Sequence, residues 1–239
     1  MSTAGERLPP RAQFDRIVAL TGAGISVAAG LGTFRGPDGL WTIAPDVERA
    51  MHAQYVPGNV DLMWQVWGGM HERAQEAGPT PAHRALAAVG AEVITQNVDG
   101  LHHTAGSVDA IEIHGSAGRA RCLLCTWDGP AVEAARASGD PRPRCPRCGE
   151  LVRPAVVLFG ESLDEAALAA ARRAAATCDL FLAVGTSGRV APASWLAPLA
   201  RAAGAMVINI DPVSGDPGPA FHRQVTGDAQ RVLAEWAES

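Results

Sequence analysis

Lysine is absent from this sequence, so all 20 basic residues are arginines. No stretch approaches the roughly 18 continuous apolar residues of a membrane-spanning helix, and residues 1–10 lack the apolar segment of a secretory signal. A net charge of -5 and a pI near 5.8 exclude the strongly basic surface typical of nucleic-acid-binding proteins. We therefore expect a soluble, cytoplasmic protein that binds neither membranes nor nucleic acid.

What is present is an alternation of short apolar runs and helical patterns. With 239 residues, 47% of them hydrophobic, the chain can form one domain, or one large domain with a small insertion. This alternation predicts an α/β fold, with a Rossmann-like, mostly parallel sheet covered by helices on both faces. Strands are predicted at 17–20, 92–95, 110–113, 155–158, 180–184 and 206–210, and helices at 81–90, 163–177, 194–203 and 228–237.

Two segments interrupt the alternation. Residues 43–79 have a helical pattern and are rich in Trp, and residues 119–153 are rich in Arg, Pro and Cys. We expect both to form a small lobe of a single domain. The Rossmann-like part then comprises about 1–42, 80–118 and 154–239.

A glycine-rich turn, Thr21-Gly22-Ala23-Gly24-Ile25-Ser26, directly follows the first predicted strand. Such glycines let the backbone approach a pyrophosphate, although glycine turns after strands are common. Val27 occupies the third glycine position of the dehydrogenase fingerprint, and no acidic residue closes a second strand about 20 residues further on, so hydride transfer is not favoured. The following Gly-rich stretch, 30–41, carries Phe34 and Arg35 side by side and can close over a bound cofactor.

Polar side chains follow two other predicted strands. Gln96, Asn97 and Asp99 come directly after the strand at 92–95, where α/β proteins bind ligands. His114 follows the apolar run at 110–113 and is a candidate proton acceptor near neutral pH. For one such loop alone, an ordinary polar connection is the favoured interpretation.

Four cysteines form two matched knuckles, Cys122-x-x-Cys125 and Cys145-x-x-Cys148. Their spacing fits a structural zinc ribbon with four thiolate ligands and no open coordination position. A redox pair is the competing interpretation, and two matched knuckles argue against it. Cys178 is left over as a small buried residue.

Further polar turns occur late in the chain. Gly185-Thr186-Ser187 and Asn209-Ile210-Asp211 lie at the ends of two predicted strands, and Gly227-Asp228-Ala229 opens the last helix. Singly they are ordinary loops. Together with the glycine turn they outline a dinucleotide trough at one edge of the sheet.

These motifs together resemble the sirtuin family of NAD-dependent protein deacylases, in its bacterial type. They occur in the family's order and cover nearly the whole chain. One departure is Gly32, where the family usually has proline before the Thr-Phe-Arg triplet, and it is expected to loosen the cofactor loop. The matching segments are GAGIS at 22–26, TFRGPDGLW at 33–41, TQNVDGLH at 95–102, EIHG at 112–115, the four cysteines, RPAVVLFGE at 153–161, GTS at 185–187 and INIDP at 208–212.

The resemblance implies a mechanism. The acyl oxygen of a modified lysine attacks the ribose carbon of NAD as nicotinamide leaves, and His114 acts as general base on a ribose hydroxyl. The amine and an O-acyl-ADP-ribose are then released. Asn97 and Asp99 are implied as further catalytic residues, and one structural zinc ion is implied at the four cysteines. The implied NAD contacts are Gly22, Ala23, Gly24, Ser26, Thr33, Phe34, Arg35, Trp41, Gln96, Asn97, Asp99, Gly185, Thr186, Ser187, Asn209, Ile210, Asp211 and Ala229.

The resemblance also implies that acyl-lysine proteins or peptides bind by β-strand addition. In the desuccinylase branch of the family a Tyr-x-x-Arg pair binds an acyl carboxylate, and an ungapped placement puts Trp67 and Met70 at those positions. We therefore expect an apolar acyl channel that accepts acetyl and can extend to longer apolar acyl groups, with little desuccinylation. Core packing under the insertion is the alternative for Trp67 and Met70. The implied edges for substrate are Val156, Val157, Phe159, Gly160 and Glu161 on one side, and Gly188 and Val190 on the other.

Two other functions use the same motifs. One is protein ADP-ribosylation from the same NAD site, and the other is a non-enzymatic NAD or ADP-ribose sensor. His114 and the complete cysteine set favour deacylation over the first. Intact Asn97, Asp99 and His114 argue against the second.

Overall fold

Two sheets organise the structure, a computed structural model that describes residues 7–137 and 142–239. In chain order the strands are β1 (Ile17–Thr21), β2 (Glu92–Thr95), β3 (Ile111–Glu112), β4 (Gly115–Cys122), β5 (Asp128–Pro130), β6 (Val152–Val156), β7 (Leu180–Val184), β8 (Met206–Asp211) and β9 (Arg223–Thr226). The larger sheet is parallel and has the order β3-β2-β1-β7-β8-β9. The smaller sheet is antiparallel, in the order β5-β4-β6.

Helices flank the larger sheet and fill the helical insertion. They are α1 (Leu40–Ile43), α2 (Pro45–Ala50), α3 (Val60–Met63), α4 (Gly69–Ala77), α5 (Pro81–Ala88), α6 (Leu101–Ala105), α7 (Ala131–Ala137), α8 (Glu165–Thr177), α9 (Leu196–Ala202) and α10 (Ala229–Ala237). A π-helical turn, Trp64–Gly68, joins α3 to α4. In the part of the chain that the structure describes, no helix is long and apolar enough to cross a membrane.

The two faces of the larger sheet carry separate hydrophobic clusters. Along β1, Ile17 and Ala19 pack into one cluster, and Val18 and Leu20 pack into the other. Helices α5 and α10 contribute to the first cluster, and α8 and α9 to the second. Every residue of β1 and β7 is buried, because successive side chains point to opposite covered faces. The predicted α/β class with helices on both faces is therefore confirmed.

The order of strands determines where a ligand can bind. The chain moves outwards from β1 through β2 to β3, then returns to the other side of β1 to form β7, β8 and β9. Ligands of open α/β sheets bind beyond the carboxyl ends of the strands where the order reverses. Here that point lies between β1 and β7, directly beyond Thr21 and Val184.

Some elements differ from the prediction. Strand β9 was not predicted, because only Val225 of its residues is buried and its sequence lacks an apolar run. The strand predicted at 155–158 ends earlier, as β6, and pairs with β4 in the smaller sheet. The predicted divisions at 118/119 and 153/154 fall within β4 and β6, so the smaller sheet includes residues assigned to the Rossmann-like part.

Candidate active site

The glycine turn packs directly against the end of β7. Gly22 N–H donates to Val184 O at 3.1 Å, and Gly24 N–H donates to Gly185 O at 2.9 Å. A Cβ atom at Gly24 would lie 2.7 Å from the Gly185 Cα, closer than atoms can approach. The two turns therefore meet backbone to backbone at the reversal point, which leaves peptide groups at the surface where a pyrophosphate can bind. A 3-10 helix, Ala23–Ala29, follows the turn.

Ser26, Asn97 and Asp99 form a buried hydrogen-bonded group beside this turn. The Asn97 side-chain amide donates to Gly22 O at 3.1 Å and to Ser26 Oγ at 3.2 Å. Ser26 Oγ donates to Asp99 Oδ2 at 2.7 Å, and Leu101 N–H donates to Asp99 Oδ1 at 2.9 Å. Burial raises the pKa of the Asp99 carboxyl, and the bonds from Leu101 and Ser26 oppose that rise. Both amide hydrogens of Asn97 are thus engaged, while its Oδ1 takes no part in these bonds.

His114 lies between the two sheets, after β3 and immediately before β4. Its Nδ1 is 3.0 Å from Gln96 O. Because a carbonyl oxygen can only accept, Nδ1 carries the proton, and Nε2 keeps a lone pair that can accept one. Burial lowers the pKa of His114 below the ordinary value of 6.5, and the bond to Gln96 partly opposes this. The next residue, Gly115, has φ +76°, and a Cβ there would lie 2.0 Å from Ala155 O.

Gln96 connects the strand ends. Its Nε2 donates to Thr186 Oγ1 at 2.7 Å, and its carbonyl oxygen accepts the hydrogen bond from His114 Nδ1–H. The loop after β2 is thereby tied both to the loop after β7 and to the imidazole. The structure thus places these polar groups at the same sheet edge, as the sequence predicted.

Behind Asn97 lie buried polar side chains that the sequence analysis missed. His102 Nε2 lies 2.9 Å from Thr21 Oγ1, Thr21 Oγ1 donates to Thr95 Oγ1 at 2.9 Å, and Thr95 Oγ1 accepts from Asn97 N–H at 3.0 Å. Since the Thr21 hydroxyl gives its one hydrogen to Thr95, it accepts from His102. The Thr21 partners are 74 and 81 residues away in the chain, so no local pattern reveals this chain of bonds.

The loop after the glycine turn folds over the same region. Thr33 Oγ1 donates to Arg35 O at 2.9 Å, and the Arg35 side chain is exposed to solvent. Phe34 stacks on Trp41, with ring centroids 5.2 Å apart. A narrow cleft beneath Phe34 has a cavity volume of about 10 Å³, near the least that holds one water molecule. It is lined by Ala23, Ser26, Leu31, Gly32, Phe34, Met70, Asn97, Val98 and Asp99.

Trp67 and Met70 lie where the helical insertion meets this cleft. Met70 lines the cleft, and Trp67 packs behind it, with its ring centroid 5.7 Å from that of Phe34. Both belong to a hydrophobic cluster that also contains Val98 and Val156. Among the described residues that line the cleft, none is basic. His71, on the same helix, instead lies against Gly118.

The stretch after β6 is held by a buried cation. Arg153, 5% exposed, donates to Val156 O at 2.8 Å and pairs with Glu161, whose other oxygen accepts from Leu158 N–H at 3.0 Å. The Glu161 carboxylate is therefore occupied within the loop. The Phe159 N–H donates to Met51 O, and its C=O accepts from Ala53 N–H. A substrate strand therefore cannot pair with the backbone of Phe159 itself. Its ring remains beside Trp41, 6.0 Å away.

The late turns occupy the same edge of the larger sheet. Gly185, Thr186 and Ser187 follow β7, Asn209, Ile210 and Asp211 end β8, and Ala229 is the first residue of α10. The Ile210 side chain is buried in the core, so only its backbone can face a ligand. Asp211 Oδ1 accepts from Val213 N–H at 2.8 Å. Gly188 has φ +64°, and Val190 O accepts from Ser194 N–H at 2.9 Å.

The four knuckle cysteines converge, and their sulfur atoms all lie within 4.8 Å of one another. Cys122 and Cys148 sulfurs are 3.5 Å apart, and Cys125 and Cys145 sulfurs 3.6 Å apart. Tetrahedral zinc with bonds of about 2.3 Å places its sulfurs roughly 3.8 Å apart. The four residues therefore fit one structural zinc ion without an open position, as predicted.

Comparisons with known proteins place this geometry in a family. The Sir2 family model matches residues 22–192. An NAD-dependent protein deacylase of Pyrococcus furiosus is 39% identical over 237 residues, which covers 95% of this chain and 94% of that protein. The structure of a Sir2 homologue–NAD complex has a TM-score of 0.83 at 36% identity, covering 95% of this chain and 90% of its own. A Sir2–p53 peptide–NAD+ complex has a TM-score of 0.78 at 26% identity, covering 95% and 92%. The chain belongs to the Sir2 family, and the resemblance to sirtuins is confirmed.

Proposed function

We propose that this chain is an NAD-dependent protein lysine deacylase that releases nicotinamide and O-acyl-ADP-ribose. The observation that carries the proposal is His114, whose basic Nε2 lies at the strand edge that also presents Asn97 and the glycine turn. The family's deacylases, among them the Pyrococcus furiosus relative, support the same reaction class. Bound NAD supplies an electrophilic ribose carbon and the hydroxyl that receives the acyl group.

The glycine turn and the buried polar group bind and orient this cosubstrate. Gly22, Ala23 and Gly24 bring the backbone close to the pyrophosphate. The Ala23 N–H is the proposed donor, because the Gly22 and Gly24 N–H groups already bond to Val184 O and Gly185 O. Asn97 keeps Oδ1 for a ligand, since Gly22 and Ser26 engage its amide hydrogens, and Asp99 oxygens can each accept a second hydrogen bond. The remaining proposed contacts are Ser26, Thr33, Phe34, Arg35, Trp41, Gln96, Gly185, Thr186, Ser187, Asn209, Ile210, Asp211 and Ala229.

A loop movement is part of the proposal. The cleft beneath Phe34 has a volume of about 10 Å³, which is far too small for an aromatic ring. The loop that carries Phe34 and Arg35 therefore moves outwards as the cosubstrate enters and closes over it afterwards. Closure excludes water, which protects the reactive ribose carbon from hydrolysis.

His114 moves the proton in the step that follows nicotinamide departure. Its Nε2 takes the proton of a ribose hydroxyl, while Nδ1 stays bonded to Gln96 O, which fixes the ring and its tautomer. The hydroxyl then attacks the acyl carbon. Because the pKa of His114 is lowered, the imidazole remains an unprotonated base through neutral pH.

The substrate is an acyl-lysine peptide bound between two backbone edges. One edge is Val156, Val157, Gly160 and Glu161, with the Phe159 ring beside it, and the other is Gly188 and Val190. The Arg153–Glu161 pair supports this by holding the first edge in place. The Sir2–p53 peptide–NAD+ complex is a family precedent for peptide binding. We propose that Trp67 and Met70 form an apolar acyl channel, in which acetyl fits and the charged succinyl group does not.

Mass analysis of the products tests the function. Native protein incubated with NAD and an acetyl-lysine peptide is expected to yield free peptide, nicotinamide and O-acetyl-ADP-ribose. A peptide that gains ADP-ribose and keeps its acetyl group would establish ADP-ribosylation instead. NAD binding with no product of either kind would favour a sensor.

A further inference from the structure

Two tryptophans of the helical insertion differ in the surroundings of their indole N–H groups. Trp64 Nε1 donates to Val152 O at 3.0 Å. Trp67, three positions later, is 5% exposed, and its Nε1 has no hydrogen-bond partner among the described residues. Buried donors are rarely left unpaired, because desolvation without a replacement bond costs free energy. The unpaired N–H of Trp67 is therefore available to a partner that the described residues do not supply.

The position of Trp67 indicates which partner. It lies in the π-helical turn Trp64–Gly68. Such turns are rare in proteins, and those that occur are often found at functional sites. Its ring is 5.7 Å from Phe34, and Met70 follows on the next turn of the helix. Phe34 and Met70 line the cleft beside Asn97 and Asp99. Trp67 does not line the cleft itself. Its ring lies against that of Phe34, on the loop that we propose moves outwards when the cosubstrate enters.

The chemistry of the surroundings limits the partner further. An indole N–H is a donor only, so its complement is an acceptor oxygen. The neighbours in the cluster are apolar, among them Met63, Val98, Val156 and Leu158. A carboxylate oxygen there would lack a cation and would remain costly to bury. A neutral carbonyl oxygen fits this environment best, because it carries no charge and brings no donor hydrogen that would itself need a partner.

We propose that the Trp67 N–H is a hydrogen-bond donor to the acyl chain of the substrate, and that the enzyme prefers acyl-lysines with a neutral acceptor oxygen on that chain. The acetoacetyl group is the simplest such acyl, and butyryl is its hydrocarbon match with the same number of carbons. This inference rests on the proposed deacylase function and specifies its substrate class. One hydrogen bond made in the apolar channel predicts a kcat/KM roughly 5- to 10-fold higher for acetoacetyl than for butyryl.

The test compares one peptide carrying acetyl, butyryl or acetoacetyl lysine, with nicotinamide release as the readout. Native enzyme is expected to favour acetoacetyl over butyryl. Trp67→Phe keeps an aromatic ring but removes the N–H, so its ratio of acetoacetyl to butyryl turnover should fall to about one. Trp64→Phe is the matched control, since Trp64 has its own partner in Val152, and it should keep the native ratio.

The possible outcomes distinguish a failure of this inference from a failure of the proposed deacylase function. Turnover of acetyl and butyryl peptides without an acetoacetyl preference overturns the inference alone, as does a preference that survives Trp67→Phe. Absence of nicotinamide release with every acyl peptide overturns the deacylase function. If Trp67→Phe does not fold, the indole proton shifts of the native enzyme decide. One tryptophan N–H should move downfield with the acetoacetyl peptide and stay unchanged with the butyryl peptide, and equal shifts with both would refute the proposal.

Discussion

At the scale of single residues, His114 illustrates how a backbone contact sets the state of a side chain. Residue type and position after an apolar run identified the imidazole from sequence. Its tautomer depends on Gln96 O, which no sequence pattern places 3.0 Å from Nδ1. That contact is what leaves Nε2 free to accept a proton.

Replacing His114 with Ala is expected to reduce O-acyl-ADP-ribose formation by roughly 10²–10⁴-fold, the usual loss when a positioned base is removed. NAD affinity should change little, because the base acts after the cosubstrate is bound. An assay of O-acyl-ADP-ribose formation checks the expected loss of rate, and calorimetry of NAD binding checks the expected affinity. The exposed His103→Ala serves as the control. A His114→Ala enzyme with native deacylation rates would exclude His114 as the base.

As the proposed base, His114 is also expected to set the acid limb of activity. A base must be neutral to accept a proton, so activity is full above the pKa of His114 and falls as pH drops through it. Because burial lowers that pKa, the midpoint of the limb in kcat/KM should lie below the ordinary 6.5. A pH profile of native enzyme measures it, and a midpoint above 6.5 would contradict the burial argument.

The proposed acyl channel makes acyl choice depend on Trp67 and Met70. The ratio of succinyl to acetyl turnover on one peptide should be far below one, because no basic residue lines the described cleft to pair with a carboxylate. Exchanging Trp67→Tyr together with Met70→Arg should raise that ratio, since Arg binds carboxylates through paired hydrogen bonds. A native ratio above one would reveal a carboxylate-binding residue elsewhere.

At the scale of elements, one cysteine knuckle begins at the end of β4 and the other lies just before β6. Metal binding and the stability of the smaller sheet are therefore expected to depend on each other. Purified protein is expected to contain one zinc per chain. Cys145→Ser should lose the metal and lower the melting temperature, because the ligand set has no spare position. Cys178→Ala, outside the cluster, should retain zinc. Active, freshly purified protein without zinc would contradict the assignment.

At the scale of the whole molecule, buried imidazoles link stability to pH. Burial lowers the pKa of His83 to about 4 and lowers that of His102 well below its ordinary value. Both folded-state pKa values are depressed, so the unfolded chain takes up protons first. The stabilisation is complete above pH 6.5 and is lost as pH falls towards 4. The raised pKa of Asp99 acts in the opposite direction, because the folded carboxyl takes up its proton before the unfolded one does.

Urea unfolding between pH 7.5 and pH 5 measures this effect. Native protein should lose stability across that range, on the order of 2 kcal/mol for His83 alone by pH 5. His83→Asn should flatten the slope, because it removes the imidazole whose pKa is lowered. A native free energy of unfolding that stays constant over this range would refute the linkage.

Sequence patterns predicted the larger sheet well because its strands are continuous apolar runs, as at Leu180–Val184. The smaller sheet was harder to predict from sequence, because β4 contains Gly, Ser and Arg rather than an apolar run and forms a strand by pairing with its neighbours. Polar groups at strand ends were predicted. The structure joins Asn97 and Asp99 through Ser26 and bonds His114 to Gln96 O. The His102–Thr21–Thr95 bonds and the Arg153–Glu161 pair escaped prediction, because they join side chains that only the folded chain brings into contact.

The most direct measurement of the central claim is nicotinamide release from NAD by the native protein, with and without an acetyl-lysine peptide. The proposed mechanism predicts release only when the acylated peptide is present, with one deacetylated lysine formed for each nicotinamide. The same peptide without its acetyl group should give none. Nicotinamide release that does not depend on the acyl group, or that leaves the acetyl group on lysine, would contradict the account.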